Sequence, residues 1–499
     1  MYKISPMEIL SSELSKKADI ITEEAGVSAL QLVENTALLL LKCVKTFFPC
    51  AKRVLVLAGS GLNGADGLAL ARHLSLRGYD VAYMCVKESE KNRHFLKVLE
   101  KMNVKKASSL EGFDLIVDAL LGVGSKPPAR EPYAKLIERV NAINVPVLSV
   151  DIPSGLDPDS ADVPILAIRA SVTACVGSLK PCHVFYPSSS LCGKLVLIKP
   201  GLLEVEPLAK ILEMPILPDR DPDAHKGKMG HALLVGASKG LTGALILAAK
   251  AASKASAGYV SVAFPEAFSQ VFETNCVEEL KLYLPGETLK DAGLILKSLN
   301  KYTAIGVGMG MGQSLGAEKF LREIILCDIP MLIDADGINV LSSIGPEILL
   351  KRKAPTVITP HPGEFERLSK VPVKELKSNP LFYANQFSKQ FKAHLVLKFS
   401  RTIIASPDGE LYVSLRGSPS MAKAGTGDAL SGIITSLLAR GLEPLEACKL
   451  GVFLHGLAGE IATKDIESFT PMMLIDAIPE AFRALRARDV KEIIQILDI

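Results

Sequence analysis

Short apolar runs alternate with stretches of helical period along nearly the whole chain, and they do so in two separate series. In the first, candidate strands fall at 53–58, 81–86, 113–120, 145–150, 171–177 and 194–198. In the second they fall at 231–236, 258–264, 302–307, 330–334, 355–359 and 394–398. Continuously apolar strands separated by helices are buried on both faces, which requires a mostly parallel sheet with helices on each side. The pattern predicts an α/β fold of two domains, 1–210 and 220–499, each with αβα layers. The proline- and charge-rich stretch 200–223 joins them. A hairpin closes the second series, with Pro407-Asp408-Gly409 turning between 401–405 and 410–415. No internal repeat relates the two series.

Bulk properties narrow the class. A chain of 499 residues is too long for one ordinary core. With 48% hydrophobic and 22% charged residues it has a globular composition. A net charge of +3 gives no reason to expect a nucleic-acid partner. The nine cysteines are scattered without CxxC or Cys/His ligand spacing, as expected of reduced thiols in a cytoplasmic protein. The opening residues Met1-Tyr2-Lys3-Ile4-Ser5-Pro6 do not read as a signal peptide. The apolar run 38–41 is far below a membrane span, so no membrane partner is expected.

Gly425-Thr426-Gly427-Asp428 carries the clearest chemistry. It opens an apolar helical pattern, with Ala429, Leu430, Ile433, Ile434, Leu437 and Leu438 in register. Glycines at a helix N-terminus let backbone N–H groups approach an anion, and the helix adds partial positive charge. A carboxylate in that first turn would repel a phosphate. Its presence makes sense if Asp428 takes the proton of a hydroxyl that attacks a phosphoryl group. The plain alternative is an N-cap residue. Further polar or glycine-rich clusters follow strands of the second series: Gly306-Val307-Gly308-Met309-Gly310, Asp334–Asn339, Thr359–Glu364 and Lys398. Ligands of open parallel sheets bind at such strand ends.

With Ala224-His225-Lys226-Gly227-Lys228-Met229-Gly230, Leu241-Thr242-Gly243-Ala244 and His361-Pro362-Gly363-Glu364, these motifs resemble the NAD(P)H-hydrate dehydratases, a branch of the ribokinase-like superfamily. The resemblance implies repair of nicotinamide rings hydrated at C6. The ring hydroxyl is phosphorylated and then expelled as phosphate, with ADP or ATP as donor and Mg²⁺ assisting. It implies Asp428 as base and Gly425, Thr426 and Gly427 as the anion hole. It places substrate at Ala257, Gly308, His361 and Asp428, and nucleotide on Lys398, Phe399, Ser400, Arg401, Thr402 and the Gly425–Gly427 loop. The chain departs from the family's usual residues at Phe399, at Val307 and Met309, and at Lys254 and Ser256.

In the first series Gly59-Ser60-Gly61-Leu62-Asn63-Gly64 follows a strand, yet no clear acidic partner ends the next strand, so ordinary dinucleotide binding is a weak reading. The fuller stretch 59–67, with Glu34-Asn35, 117–124 and Val150-Asp151-Ile152-Pro153-Ser154-Gly155-Leu156-Asp157, instead resembles the NAD(P)H-hydrate epimerases. That implies a Rossmann-like domain that interconverts R- and S-hydrates. It implies K⁺ on Asn63, Asp118 and Ser154, and proton handling by Asp118 and Asp151. Substrate would meet Leu62, Asn63, Gly64, Ala65, Asp66, Gly122, Val123, Gly124 and Asp151. Leu62 removes a family amide, Ala65 adds a methyl, and Val123 replaces a threonine. Retained activity is expected because Asn63, Asp66, Asp118, Asp151 and Ser154 are present. The whole reads as a bifunctional repair enzyme acting on NADH and NADPH hydrates (NADHX and NADPHX), a homo-oligomer. Two rivals remain at this stage: a small-molecule kinase with an accessory first half, and a first half kept as a non-enzymatic binding scaffold.

Overall fold

The computed structural model describes residues 7–219 and 221–498. The chain divides into two compact units, Met1–Lys210 with Glu492–Ile499, and Ile211–Lys491.

The first unit holds an eight-stranded sheet ordered Gln495–Asp498, Lys194–Lys199, Val172–Val176, Val147–Val150, Leu115–Ala119, Arg53–Ala58, Asp80–Cys85, Lys105–Lys106. Every pairing is parallel. Alternation along Arg53–Ala58 shows the layers. Val54, Val56 and Ala58 pack against the helices Ala29–Phe47 and Leu62–Ser75. Leu55 and Leu57 pack on the other side with Leu136, Ile137 and Val140 of Tyr133–Asn141. The apolar run 38–41 lies in Ala29–Phe47, where Leu39, Leu40 and Leu41 are core residues. The chain runs from Arg53–Ala58 outward to Lys105–Lys106, then restarts at Leu115–Ala119 on the opposite side. That reversal opens a crevice at the carboxyl ends of Arg53–Ala58 and Leu115–Ala119. The strand Gln495–Asp498, from the far end of the chain, pairs with Lys194–Lys199, a return that the alternation did not reveal.

In the second unit the sheet runs Leu280–Leu284, Tyr259–Pro265, His231–Val235, Ala304–Val307, Met331–Ile333, Thr356–Ile358, His394–Leu397, all parallel, followed by the antiparallel strands Ile403–Ala405 and Leu411–Val413. Gly409, at φ +94°, makes the hairpin turn. Ala232, Ala304, Leu332, Val357 and Val396 face a core built with the helices Thr426–Ala439, Pro444–Ala462 and Pro471–Ala487. The residues between them, such as Leu233, Ile305 and Ile333, are fully buried as well, so both faces are covered. Thr426–Ala439 lies close to the sheet because its partners are small. A Cβ at Gly432 would stand 2.0 Å from the Ala248 carbonyl oxygen of Thr242–Lys254, and one at Gly306 would stand 2.5 Å from Thr435 Oγ1. No single helix among the described residues is long and apolar enough to cross a membrane.

Candidate active sites

The first turn of Thr426–Ala439 sits over the carboxyl ends of three neighbouring strands. Gly425 is its N-cap, at φ +98°, a conformation open to glycine. Among the described residues the N–H groups of Gly427 and Asp428 have no acceptor, so both are available to an anion. Beneath them lies Lys398, just past His394–Leu397; a Cβ on Gly427 would be 3.2 Å from its Nζ. Lys398 donates to Asp334 Oδ1 at 2.7 Å and stands 4.0 Å from Glu364 Oε2. Asp334, almost wholly buried after Met331–Ile333, also accepts from Ser431 Oγ at 2.7 Å, which ties helix to sheet. Glu364 is held by the backbone N–H of His361, at 2.8 Å. His361 Nδ1 in turn accepts from the N–H groups of Gly363 and Glu364, at 3.0 and 3.3 Å.

Electrostatics set Asp428 apart. Burial, then the negative charges of Asp334, Glu364 and Asp336 against the opposing Lys398, push its carboxyl up to about 7. Burial pulls the Lys398 ammonium down, but Asp334, Glu364 and Asp428 outweigh it and hold it above its usual value. The pair is therefore a cation fixed in charge beside a carboxyl poised to exchange a proton near neutrality. Behind the loop, His455 of Pro444–Ala462 donates Nε2–H to the Thr426 carbonyl oxygen at 2.9 Å. Burial lowers it to about 4, so it stays neutral. In a trans peptide C=O and N–H point oppositely, so this bond orients the Gly427 N–H away from the helix at His455.

The sequence-derived substrate and nucleotide positions divide. Gly308 follows Ala304–Val307 at φ +122°, and a Cβ there would meet the Asp334 carbonyl oxygen at 1.9 Å, so it packs directly on the site. His361 caps Pro362–Ser369 beside Glu364. Phe399, Ser400, Arg401 and Thr402 form the partly exposed turn between His394–Leu397 and Ile403–Ala405, next to Lys398, with Arg401 Nη1 donating to the Leu415 carbonyl at 2.7 Å. Ala257 is not brought to Asp428. Its N–H donates to Ser436 Oγ at 2.9 Å, two helical turns farther along Thr426–Ala439, about 12 Å at roughly 1.5 Å per residue. His225-Lys226-Gly227 lies at that same amino end of the sheet, where a Cβ on Gly258 would touch the Lys226 carbonyl oxygen at 1.9 Å.

In the first unit the crevice is a cavity of about 670 Å³, lined by Leu62, Asn63, Asp66, Gly122, Val123, Gly124 and Asp151 among others. Gly59 permits it: a Cβ there would collide with the Leu120 carbonyl oxygen at 1.8 Å, where the two crevice strands end. Gly64 and Ala65 turn away. Gly64 packs on the Gly59 carbonyl oxygen, at 2.1 Å from a notional Cβ, and the Ala65 methyl is fully buried in the hydrophobic core. The methyl added at Ala65 therefore fills the core and does not narrow the substrate's approach. Leu62 does line the cavity.

Asp118 is fully buried. Its Oδ1 accepts from Ser154 Oγ at 2.5 Å and the Leu120 N–H at 3.3 Å, and its Oδ2 from Ser149 Oγ at 2.8 Å and the Ser154 N–H at 2.9 Å. Beside it Asn63 donates through Nδ2 to the Leu121 carbonyl oxygen at 3.1 Å, while Asn63 Oδ1 is buried without a partner. An orphaned buried amide oxygen near a carboxylate, a hydroxyl and a backbone carbonyl is an all-oxygen donor set that fits a hard monovalent cation.

Asp66, Asp19 and Asp151 cluster on the cavity wall. Burial first, then Asp151 and Asp19, raise Asp66 well above the usual carboxylate range. Burial and then Asp151 push Asp19 up to about 6. Asp151 ends Val147–Val150 at φ +64°, rare for a residue with a Cβ, and pairs with buried Lys180, Nζ to Oδ1 2.7 Å. Lys180, Asp19, Ser431 and His455 escaped the sequence reading. Only Lys180 carries a local signal, a lysine just past a strand end in Ser178-Leu179-Lys180-Pro181.

Comparison with known proteins agrees with this division. Residues 232–480 match the family model described as NAD(P)H-hydrate dehydratase, and residues 29–182 that described as YjeF-related protein N-terminus. A bifunctional NAD(P)H-hydrate repair enzyme of Thermofilum pendens is 34% identical, over 97% of this chain and 96% of its own. One of Moorella thermoacetica is 31% identical, over 96% and 97%. An ADP/ATP-dependent NAD(P)H-hydrate dehydratase from Bacillus subtilis, co-crystallised with ATP and Mg²⁺, aligns at 29% identity with a TM-score of 0.48, covering 54% of this chain and 94% of that one.

Proposed function

The chain belongs to the bifunctional NAD(P)H-hydrate repair enzymes, and from that premise we propose which residues perform its two reactions. The first unit epimerises R- and S-hydrates, and the second dehydrates the S-hydrate to NADH or NADPH.

In the second unit Asp428 is the base. It removes the C6 hydroxyl proton as that oxygen attacks the terminal phosphoryl group of the nucleotide. A new O–P bond forms and the bond to the nucleotide leaving group breaks, leaving AMP if ADP is the donor. Charge on the transferring group falls on the free N–H groups at Gly427 and Asp428, and Lys398 stands ready beneath them. The ring nitrogen's lone pair then expels phosphate from C6, C5 gives its proton to the departing phosphate, and the dihydropyridine is restored. Gly308 and His361 flank the substrate, and the Lys398–Thr402 turn and the Gly425–Gly427 loop hold the nucleotide. Mg²⁺ bound with the nucleotide would neutralise charge on its phosphates, beside Lys398. The observation that carries this reading is Asp428 itself: a carboxyl raised to about 7 in the first turn of a helix whose leading N–H groups are unpaired.

In the first unit we assign the proton work to Asp151 and Asp66, which line the cavity, and a positioning role to Asp118, which is fully buried and held by Ser149, Ser154 and the Leu120 N–H. K⁺ fits Asn63, Asp118 and Ser154, and would fix the loops that carry Leu121 and Ser154. A cytoplasmic homo-oligomer without nucleic-acid or membrane partners is the accompanying expectation; the free cysteines of the described chain fit a reducing compartment. The test is direct: purified protein, racemic NADH hydrate, and ADP or ATP, with absorbance of the reduced ring followed. No recovery with either nucleotide sinks the dehydratase assignment.

A further inference from the structure

A buried lysine stands at the wall of the first unit's site with no role assigned to it. Lys180 follows Val172–Val176, and its side chain is 2% exposed. Its Nζ makes three contacts: Asp151 Oδ1 at 2.7 Å, the Val176 carbonyl at 2.9 Å and the Ser178 carbonyl at 3.1 Å. An ammonium has three N–H groups, so none is left for a substrate. Asp151 is asymmetric. Oδ1 takes Lys180 and, at 3.4 Å, the Val176 N–H, whereas Oδ2 has no partner among the described residues. A second cavity of about 270 Å³ lies beside the larger one, and both are lined by Asp151, Asp19, Val123, Val176, Pro200 and Leu202. Asp151 thus stands where the two spaces meet, with one oxygen clamped and the other open, on a backbone held at φ +64°.

We propose that Lys180 is the positioning residue of epimerisation, clamping one oxygen of the base Asp151 so that its free oxygen faces the substrate hydroxyl at the junction of the two cavities. The inference rests on the epimerase reading above. The chemistry needs such a base. Inverting C6 means taking the hydroxyl proton while the C6–N1 bond breaks, its electron pair going to N1 and a proton being delivered there. C6 becomes an aldehyde carbon. Rotation about C5–C6 and reclosure on the other face returns both protons, so the balance is zero. Asp151 accepts the hydroxyl proton, and Asp66, raised well above the carboxylate range by burial, holds the one for N1.

The other titratable groups facing Asp151 are Asp19, His183, Cys175 and Cys182. Burial pulls His183 down to about 3 and pushes both thiols up, so all three stay neutral. Lys180 is then the cation in direct contact with Asp151, while Lys91 also opposes Asp19. Removing an adjacent opposite charge raises a carboxyl by about one to three pH units.

The experiment measures epimerisation of R-hydrate against pH, corrected for the spontaneous rate, in wild type, Lys180→Met and Lys180→Arg. Calorimetry of the first unit's transition serves as the folding control, and dehydration of purified S-hydrate by the same chains shows that the second unit is untouched. Lys180→Met should lower kcat and move the acid limb upward by about one unit or more, Lys180→Arg should keep the limb, and dehydration should be unchanged. If Lys180→Met does not fold, Lys180→Gln reads the same limb without the charge. A lowered kcat with the limb at its wild-type position would make Lys180 structural and overturn the inference while leaving the epimerase reading intact. A wild-type chain without enzymic epimerisation would refute that reading, and the role of Lys180 with it.

Discussion

Asp428→Asn should make the second unit more stable while it abolishes dehydration. Burial lifts the folded carboxyl to about 7 from its ordinary 3.8, a difference of about 3. At roughly 1.4 kcal/mol per unit the folded state disfavours the charged form by up to about 4 kcal/mol. Solvent reaches part of the side chain, so about 2 kcal/mol is the working figure. The sign follows from proton uptake. Between pH 3.8 and about 7 the folded state binds the proton and the unfolded state does not, so wild-type stability falls as pH rises through this window and is level above it. Asparagine has the same shape and no such cost, and Lys398 keeps Asp334 and Glu364 as partners. Calorimetry at several pH values, which resolves separate transitions, is the assay. Near pH 8 the transition of the second unit should rise by roughly 4–8 °C in the variant, shrinking toward pH 4. Removal of the base should cost about 10²–10⁴ in kcat. A variant that is less stable at every pH, or that keeps wild-type turnover, refutes the reasoning.

Three further outcomes follow from the same geometry. For the free enzyme, kcat/KM for dehydration should rise with pH through about 7 and level off, since Asp428 works only when ionised; a profile flat from pH 5 to pH 8 contradicts its role. His455→Phe removes the bond that orients the Thr426 peptide and should lower dehydration kcat about tenfold with little change in KM, with partial recovery in His455→Asn; a pure KM effect argues against it. Asn63→Ala deletes the orphaned oxygen and should abolish the advantage of K⁺ over Li⁺ in epimerisation while leaving dehydration untouched, as rates in the two salts would show.

How far the sequence alone led depends on what each residue does. Strand existence was legible because buried parallel strands are continuously apolar. Leu280–Leu284 was not, since as an edge strand it mixes Lys281 and Tyr283 with leucines and is only partly buried. Gln495–Asp498 was missed because four residues carry little periodicity and their partner lies almost 300 positions away. Asp428, Lys398, Asp334 and His361 were legible as polar residues where apolar strands stop, and the structure gathers them at one place. Ala257 carries no chemistry of its own, and only the fold reveals that it sits at the other end of Thr426–Ala439. Ser431, His455 and Lys180 are tertiary partners. Their sequence neighbourhoods look like ordinary helix and loop, and their meaning appears only when Asp334, Thr426 and Asp151 are in reach. Asp118 shows the reverse case, an apparent active-site carboxylate that the fold spends on four internal hydrogen bonds.

The central claim is that one chain repairs both epimers, with the second unit acting through phosphoryl transfer. Racemic NADH hydrate, incubated with the purified protein and ADP or ATP at a pH where spontaneous epimerisation is slow, tests it most directly. Recovery of the full reduced-ring absorbance, with one equivalent of phosphate released per ring restored, is the expected result. Recovery without nucleotide would contradict phosphoryl transfer through Asp428, and recovery that halts at the S fraction would contradict an active first unit.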